Sequence, residues 1–469
     1  MRVSIGNDTW WHIKAGQWMV ENRDVLRTDY FSLTRQGAPW IYPGWIAQLL
    51  LYGVFHQLGF AGLNLLTGLL VVTAFAFVWE TLEGPVLLKV YVILLAAITS
   101  RVYWSARPHI ISFALSGYFL FVLYRFRQGK RRLIWTLPLA MIIWVNTHGG
   151  FAIGFLFIGI FLVGGIIQIL LEELSNEEAF STIWDKHKGK IIPLLAVAML
   201  CILAVAINPH GPRMLLYPFE TVSIRALQDF IQEWQSPNFH QAQNLPFLFS
   251  ILLIVGIFAI SRRAVDPTEL LLVVVFLALA LLASRNIALF ALATAPVLCR
   301  LLSSELGGLP VKWKDNHQLP ARITKWLNLL IFLILVIASG LTIAPSLSNS
   351  VNHEAIAAKY PLDAVDHLRD LESKASLFNT YNWGGYIIWE LYPEYLSFVD
   401  GRTDLFNDEI LEDYLLAWKG LPGWELVFDT WDVEVVLIEP WAPLRFQLES
   451  QGWQIEYEDD LAIVLKAPR

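Results

Sequence analysis

The residues that could carry chemistry begin close to the N-terminus, with Asp8 and His12. Asp8 stands two positions before a pair of tryptophans, Trp10 and Trp11, and a carboxylate in such a segment could act as a general base toward a hydroxyl group. Asp8 could equally be the N-cap of a helix that starts at Thr9, because aspartate is a preferred capping residue. The two roles are compatible, so both stay open at the level of the sequence.

His12 follows Asp8 by four residues, so the two side chains would share one face of a helix. The pair could bind a divalent cation such as Mg²⁺ or Mn²⁺, and His12 could instead be a histidine at the lipid headgroups. Asp29 is a candidate second acid for the same site, with an Asx turn as its alternative role. The predicted catalytic group is therefore Asp8, His12 and Asp29, and any metal would be bound by Asp8 and His12.

A second set of residues could bind phosphate. Guanidinium groups bind phosphate through paired hydrogen bonds, and arginine and histidine recur in short polar turns between apolar segments. The candidates from these turns are Arg101, Arg107, His109, His148 and Arg285. Arg285 is the most specific, because it lies in a tight turn between two uncharged segments. The alternatives are contact of the arginine side chains with lipid headgroups and simple helix termination at the turns.

Two stretches near the C-terminus could contact an acceptor molecule. Tyr381-Asn382-Trp383-Gly384-Gly385-Tyr386 is a glycine turn rich in aromatic residues, from which Trp383 and Tyr386 are the candidates. Asp400-Gly401-Arg402-Thr403-Asp404 could bind a sugar or a cation, and Asp400 and Arg402 are the candidate acceptor contacts in it. Either stretch could instead be a turn stabilised by salt bridges.

The remainder of the chain predicts a membrane protein that must position these residues. Of 469 residues, 56% are hydrophobic and 16% are charged, whereas about a quarter of a soluble protein is charged. The apolar residues form blocks long enough to cross a bilayer, which takes about 20 residues. The sequence has no basic stripe with interleaved aromatic residues, which argues against nucleic acid as a partner. Cys201 and Cys299 lie in apolar blocks and are expected to be core residues.

We therefore predict an α-helical polytopic membrane protein with about ten spans and a C-terminal soluble α/β domain. The spans lie roughly at residues 61–79, 85–101, 109–125, 132–147, 150–171, 191–207, 245–261, 268–284, 286–302 and 325–344. The basic cluster between Arg125 and Arg132 is expected on the cytoplasmic side, because cytoplasmic loops carry an excess of lysine and arginine. Alternation of the spans then places residues 1–60 and the C-terminal part outside.

Four regions follow from this pattern. Residues 1–60 are expected to form an extracytoplasmic loop of catalytic type, in which a helix from Thr9 to Glu21 rests its tryptophans among lipid headgroups. Residues 45–58 are a second interfacial helix or the lead-in to the first span. Residues 61–344 form the transmembrane domain, 345–360 a linker and 361–469 the soluble domain. Predicted elements of that domain are helices at 362–371 and 409–419, strands at 396–399 and 433–438, and a hairpin of 453–457 with 461–465.

No Asp, Glu, Lys or Arg stands in the middle of any predicted span. A charge there would cost about 2.5–3.5 kcal/mol on insertion scales and is usually retained for function. The polar candidates gather instead at the outer ends of the predicted helices. This distribution favours an enzyme at the outer membrane surface over a transporter or flippase, and a non-catalytic membrane subunit whose outer domain binds a partner is a third alternative.

At these residues the chain resembles the GT-C superfamily of membrane glycosyltransferases, and within it the bacterial mannosyltransferase and lipopolysaccharide-sugar transferase group. The resemblance is carried by Asp8-Thr9-Trp10-Trp11-His12, Arg27-Thr28-Asp29-Tyr30-Phe31-Ser32, Arg107-Pro108, Asn146-Thr147-His148-Gly149-Gly150, Tyr381-Asn382-Trp383-Gly384-Gly385-Tyr386 and Val399-Asp400-Gly401-Arg402. A looser similarity is to the catalytic subunit of oligosaccharyltransferases. Their Trp-Trp-Asp-Tyr-Gly motif is replaced here by the stretch around Trp383, which lacks its aspartate.

The resemblance implies an inverting glycosyltransferase in the plasma (inner) membrane, working on the extracytoplasmic side. Its donor would be a polyprenyl-phosphate-linked sugar, and its acceptor a glycan, a lipid or a protein, with membrane lipids around it. Asp8 would be the base, and Arg101, Arg107 and Arg285 would hold the leaving phosphate. Members of this superfamily have a membrane span before the catalytic loop, whereas this sequence starts seven residues before Asp8. Either that span is missing from this chain or its start site is misassigned.

Overall fold

A computed structural model of the chain describes residues 6–175, 180–225, 231–261, 265–307, 320–371 and 375–468. Its α-helices, in chain order, are α1 (Thr9–Asn22), α2 (Trp45–Trp79), α3 (Val86–Ser100), α4 (His109–Arg127), α5 (Leu137–Val145), α6 (Ala152–Ser175), α7 (Phe180–Val205), α8 (Tyr217–Val222), α9 (Leu245–Ile260), α10 (Pro267–Leu282), α11 (Ile287–Gly307), α12 (Ala321–Leu347), α13 (Asn349–Ala357), α14 (Leu362–Asp370), α15 (Gly384–Leu391), α16 (Thr403–Trp418), α17 (Trp424–Trp431) and α18 (Pro443–Ser450).

Among the described residues, eight helices are long and apolar enough to cross a membrane, namely α2, α3, α4, α6, α7, α9, α11 and α12. Two shorter apolar helices, Leu133–Val145 and Pro267–Leu282, coincide with the other two predicted spans. The prediction of a polytopic helical membrane protein is therefore confirmed. It succeeded because the hydropathy of a span is a local property of about 20 consecutive residues.

Helix α2 joins the short apolar segment at 45–58 to the first predicted span in one run of 35 residues. Gly59 interrupts the run with a φ of +58°, a backbone conformation that glycine adopts without the steric cost of a Cβ. Of the two alternatives for residues 45–58, the structure thus has the lead-in to the span. The bend at Gly59 separates this lead-in from the part of α2 that follows.

Helix α1 corrects the expectation that its tryptophans rest among lipid headgroups. Trp10 is only 2% exposed and Trp11 only 4%. Trp10 packs edge-to-face against Phe60 of α2 and against Tyr360 and Tyr386, with ring centroids 5.0–5.5 Å apart. The paired tryptophans therefore join α1 to α2 and to the C-terminal part of the chain.

The C-terminal part contains a four-stranded sheet of β1 (Ser376–Asn379), β2 (Val433–Ile438), β3 (Gln454–Glu458) and β4 (Ile463–Lys466). The strand order is β1-β2-β4-β3, with β1 parallel to β2 and the other pairs antiparallel. Strand β2 and the β3–β4 hairpin occur where the sequence predicts them. A small α/β domain thus follows the membrane helices, as expected.

The predicted strand at 396–399 is not a strand. Ser397, Phe398 and Val399 are buried, but the backbone N–H of Phe398 donates to the side-chain Oδ1 of Asn379 at 2.7 Å. Ser397 forms only an isolated bridge, with Ser32 of the N-terminal segment. Three further differences are strand β1, which the sequence did not indicate, helix α15 at the predicted glycine turn, and helix α13 within the predicted linker.

The N-terminal segment packs into the core of the C-terminal domain. Trp11 and Phe31 belong to the same buried cluster as Phe378 of β1. The backbone N–H of Leu33 donates to the carbonyl of Ser397 at 2.8 Å, and the N–H of Ser397 donates to the carbonyl of Phe31 at 3.1 Å. Because of this packing, the C-terminal domain helps to fix the position of Asp8.

Candidate active site

A cavity of about 2050 Å³ lies where α1, the membrane helices and the C-terminal domain meet. One part of its wall is apolar and belongs to membrane helices α2 and α3, including Val71, Phe75, Trp79, Ile93 and Ala97. The central part is polar and includes Asp8, His12, Arg107, His109, His148, Glu233 and Arg285. The third part belongs to the C-terminal domain and includes Asn382, Thr403, Asp404, Glu439 and Trp441. The cavity therefore joins the surface of the membrane helices to the C-terminal domain.

Asp8 occupies the N-cap position of α1, but its side chain makes no capping hydrogen bond. The carboxylate turns instead toward Arg107, whose Nη1 lies 2.6 Å from Asp8 Oδ2. Trp11 Nε1 donates to the other oxygen at 3.4 Å. The hydroxyl of Thr9 accepts from the N–H of Gly6 at 3.0 Å and donates to a carbonyl beyond α3, which holds the start of the helix in place. Of the two roles open from the sequence, the geometry leaves Asp8 available to a substrate.

Arg107 joins Asp8 to a second acid, Glu233. Its Nη2 lies 3.0 Å from Glu233 Oε2, and its Nε donates to the hydroxyl of Ser105 at 3.1 Å. The three charged side chains are about a fifth to two fifths exposed, so they face the cavity without being freely solvated. The sequence did not indicate Glu233, because a single glutamate in a loop between helices carries no signal of its partner.

The pKa values of Asp8 and Glu233 are shifted in opposite directions. Burial raises the pKa of Asp8, and the neighbouring Arg107 opposes this effect without cancelling it. The charge of Arg107 lowers the pKa of Glu233 to about 2, although burial acts in the other direction. Asp8 is therefore the more basic of the two groups and the better candidate for a proton acceptor.

Three histidines line the cavity near this ion pair. Burial, with the charge of Arg107, holds the pKa of His12 well below its usual value, and burial with Arg285 lowers the pKa of His148 to about 3. His148 Nδ1 accepts from the N–H of Gly150 at 3.0 Å and lies 2.8 Å from the hydroxyl of Ser112, so the ring proton of the neutral form resides on Nε2. His109 Nε2 lies 2.7 Å from the carbonyl of Tyr103. His12 and His148 thus supply neutral hydrogen-bonding groups.

Arg285 forms no salt bridge with a carboxylate among the described residues. Its guanidinium lies over the ring of Trp234, 4.3 Å from the centroid, and it lines the cavity. A guanidinium stacked on an aromatic face is held in place while its N–H groups stay available to an anion. Arg101 also lines the cavity, at a more exposed position.

Asp29, Asp400 and Arg402 lie away from the cavity, unlike the sequence-based expectation. They form a fully buried ion triad in which Arg402 Nε and Nη2 bind the two oxygens of Asp400 at 2.8 and 2.7 Å, and Nη1 binds Asp29. The N–H groups of Phe31 and Ser32 donate to Asp29, each at 3.1 Å. These contacts correspond to the alternative roles, a turn at Asp29 and a salt bridge at Asp400 and Arg402.

Trp383 and Tyr386 are also outside the cavity wall. Trp383 is 4% exposed and donates from Nε1 to the carbonyl of Lys359 at 3.1 Å, while Tyr386 packs against Trp10. Their neighbours Tyr381 and Asn382 line the cavity instead. The aromatic stretch therefore meets the cavity through residues that the sequence did not single out.

Asp404 is a further cavity residue that was not singled out, although it lies two positions after Arg402. Burial raises the pKa of Asp404 to about 6. The hydroxyl of Tyr217 donates to Asp404 Oδ2 at 3.2 Å, and Tyr217 lines the cavity together with Tyr42. The only signal in the sequence was the density of polar residues in this pentapeptide.

The arrangement around Asp8 does not fit a divalent cation held by protein ligands alone. The described residues contain no group of three or more His, Cys, Asp or Glu side chains placed to hold a metal ion. Mg²⁺ prefers several oxygen ligands, but the second carboxylate near Asp8, that of Glu233, is separated from it by the guanidinium of Arg107. A cation at Asp8 and His12 stays a prediction.

No protein-family model and no curated protein matches the sequence. Solved structures do match the fold. The apo oligosaccharyltransferase of Archaeoglobus fulgidus aligns over 100% of this chain and 71% of its own, with a TM-score of 0.51 and 12% identity. Apo ArnT from Cupriavidus metallidurans aligns over 100% of this chain and 96% of its own, with a TM-score of 0.42 and 12% identity. The chain therefore shares its fold with the A. fulgidus oligosaccharyltransferase.

Proposed function

We propose that this protein is an inverting membrane glycosyltransferase, which moves a sugar from a polyprenyl-phosphate donor to an acceptor hydroxyl on the extracytoplasmic side of the plasma membrane. The observation that carries the proposal is the position of Asp8. Its carboxylate lies in a cavity walled by both membrane helices and the outer domain, beside Arg107 and near Arg285. The likeness to the A. fulgidus oligosaccharyltransferase supports the fold on which the proposal rests.

The apolar wall of the cavity suits the lipid part of such a donor. Side chains of α2 and α3 reach the same cavity as the polar centre, and so do Thr342 and Ile343 of α12. A polyprenyl chain along this wall would stay in an apolar environment while its phosphate reached the arginines. The sugar would then lie between the phosphate and the outer domain.

Asp8 takes the proton from the acceptor hydroxyl in the proposed reaction. The acceptor oxygen forms a bond to the anomeric carbon of the donor sugar, and the bond between that carbon and the phosphate oxygen breaks. The electron pair of that bond leaves with the polyprenyl phosphate. Because a phosphate is a stable anion, stabilisation of its charge contributes more than protonation would.

The charges of the site are suited to an incoming phosphate. Asp8, Arg107 and Glu233 together carry one net negative charge, and Arg285 adds one positive charge. Arg285 forms no salt bridge with a carboxylate among the described residues. It can therefore bind the donor phosphate without first breaking an ion pair. If Arg107 then donates to the phosphate in place of Asp8, the carboxylate of Asp8 is free to act as a base.

Replacement of Asp8 by Asn tests the proposal. We expect Asp8→Asn to lower sugar transfer by about 10²–10⁴-fold, the range over which a positioned general base contributes. The measurement uses the full chain in proteoliposomes and lipid-linked, radiolabelled sugars extracted from the host membrane. Asp24→Asn is the matched control, since Asp24 is an exposed carboxylate in the same N-terminal segment. Unchanged transfer by Asp8→Asn would contradict the assigned role.

A further inference from the structure

The loops that follow strands β1 and β2 meet at one edge of the sheet, within the wall of the cavity. The two strands are parallel neighbours, so their carboxyl ends lie side by side. Thr380 follows β1 and Glu439 follows β2, and both residues line the cavity. In open α/β sheets, ligands bind in the crevice outside the carboxyl ends of the strands. This edge of the small domain is therefore placed like a binding site.

Glu439 is held in position at this edge. Its Oε2 accepts from the hydroxyl of Thr380 at 2.6 Å and from Trp418 Nε1 at 3.2 Å. Its Oε1 makes no hydrogen bond within the part of the chain that the structure describes, which leaves one carboxylate oxygen to accept from a ligand. A carboxylate with one oxygen anchored and the other open is suited to a hydroxyl donor.

Two indole rings form a corner beside this carboxylate. Trp441 lies two residues after Glu439 and is 65% exposed, although it lines the cavity. Its ring centroid lies 5.5 Å from that of Trp418, with an angle of 84° between the ring planes. The exposed indole offers the cavity a flat apolar face together with a polar N–H edge.

We propose that Trp441, Trp418 and Glu439 form the subsite for a pyranose ring of a carbohydrate acceptor. The C–H face of a pyranose is apolar and stacks on an indole, while its equatorial hydroxyls need hydrogen-bond acceptors. An indole corner and an anchored carboxylate supply both. The chemistry favours a neutral glycan over a phosphate, since Glu439 would repel an anion. The inference rests on the proposed function, because it concerns the acceptor of that reaction.

Thr380 and Asn382 connect this subsite to the residue that precedes Asp8. Thr380, which binds Glu439, lies two residues before Asn382, whose side chain accepts from Asn7 at 2.8 Å. Two residues of chain span at most about 7 Å, and Asn7 precedes Asp8 directly. Trp441 and Asp8 also line the same cavity, so a glycan bound at Trp441 can extend toward Asp8.

The test measures binding of defined sugars to the full chain in lipid nanodiscs, without maltoside detergent, whose headgroup is itself a sugar. Saturation-transfer NMR is recorded with maltose, cellobiose, mannobiose and N,N′-diacetylchitobiose. We expect at least one disaccharide to bind, and its affinity to fall at least tenfold in Trp441→Ala and in Glu439→Gln. Phe446→Ala is the control, since Phe446 is 63% exposed on the neighbouring helix α18 and does not line the cavity.

Binding of none of the four sugars by the unmodified chain would overturn the subsite, and so would equal binding by Trp441→Ala. Asp8→Asn separates this result from the proposed function, because it should bind the disaccharide normally and fail to transfer sugar. Transfer that survives in Asp8→Asn would overturn the assigned base and leave the subsite standing. Loss of disaccharide binding in Trp441→Ala with transfer to a simple alcohol intact would support the subsite as specific to the acceptor.

Discussion

The backbone of Gly401 lies directly against the carboxylate of Asp8. A Cβ atom at position 401 would be 1.9 Å from Asp8 Oδ1 and 3.1 Å from Trp11 Nε1. Gly401 belongs to the turn between Asp400 and Arg402, both of which are fully buried. The C-terminal domain therefore supplies no catalytic side chain at this point, but its main chain forms one side of the pocket that holds Asp8.

Gly401→Ala should displace Asp8. A methyl group cannot occupy a position 1.9 Å from an oxygen, so either the carboxylate or the turn must move. A misplacement of about 1 Å can reduce a rate by about 10²-fold, and we expect the kcat for sugar transfer to fall by that order. The measurement is the transfer rate together with thermal unfolding of the purified variant.

Gly53→Ala is the matched control for this substitution. Gly53 lies inside α2, where an added Cβ would meet no atom within 4 Å. Alanine also has the higher helix propensity, so this variant should be as active and at least as stable as the unmodified chain. Normal activity of Gly401→Ala would show that the contact with Asp8 is not needed for the position of the base.

Arg107→Gln should move the acidic limb of the pH–rate profile to higher pH. The ionised form of Asp8 is the base, so kcat/KM falls as the pH drops below its pKa. Arg107 opposes the effect of burial and lowers that pKa. Its removal raises the pKa of Asp8, and the loss of activity therefore begins at a higher pH. The profile is measured as kcat/KM, which reports on the free enzyme.

Glu233→Gln provides the opposite shift. The negative charge of Glu233 contributes to raising the pKa of Asp8, so its neutralisation should move the acidic limb to lower pH. A structural disturbance common to both variants would not shift the limb in opposite directions. Limbs that stay in place in both variants would indicate that a group other than Asp8 controls the profile.

Arg285→Gln should weaken binding of the lipid donor. Arg285 is placed over Trp234 with its N–H groups open to the cavity, and paired hydrogen bonds between a guanidinium and a phosphate are among the stronger polar contacts. We expect at least a tenfold rise in the Kd for a polyprenyl phosphate, measured by a fluorescent analogue in nanodiscs. Arg285→Lys should restore only part of the affinity, because it keeps the charge without the planar fork.

Arg213→Gln controls for the general attraction of an anion to arginines outside the cavity. Arg213 is 59% exposed, lies 3.9 Å from Glu220 and does not line the cavity. Its removal should leave the Kd within about twofold. An equal loss of affinity in both variants would indicate a diffuse charge effect in place of a phosphate site at Arg285.

The membrane helices were predictable from the sequence, whereas the environment of the N-terminal helix was not. A membrane span can be predicted from the hydropathy of about 20 adjacent residues. Trp10 and Trp11 are of a residue type expected among lipid headgroups, but Trp10 packs against Tyr360 and Tyr386, which lie at least 350 residues later. Burial against such distant residues leaves no local sequence pattern. The sequence therefore could not show that the tryptophans of α1 are buried in protein and not placed among lipid headgroups.

The same limit explains which candidate site residues lie together. Asp8 and Arg107 were both singled out by residue type, and the fold pairs them across 99 positions. Glu233 completes the group from a loop with no distinguishing sequence pattern. Asp29 has the same residue type as Asp8 but a different position, because the local turn and Arg402 enclose it. Residue type therefore indicated the chemistry, and only the fold separated an acid in the cavity from an acid in the core.

Arg402→Leu should destabilise the fold strongly. Arg402 is the buried cation between Asp29 and Asp400, and all three side chains are fully enclosed. Removal of one partner from a buried ion group leaves uncompensated charge and typically costs about 3–5 kcal/mol. We expect a clear fall in the unfolding temperature in nanodiscs and loss of the close contact between the N-terminal segment and the C-terminal domain.

Arg369→Gln is the comparison that separates burial from charge. Arg369 also binds two acids, Asp366 at 2.7 Å and Glu390 at 3.0 Å, but it is 46% exposed. An exposed ion pair contributes only about 0–1 kcal/mol, so the unfolding temperature should hardly change. Equal effects of the two substitutions would contradict the role of the buried triad. A larger effect at Arg402 would support the triad as the contact that stabilises the N-terminal segment on the C-terminal domain.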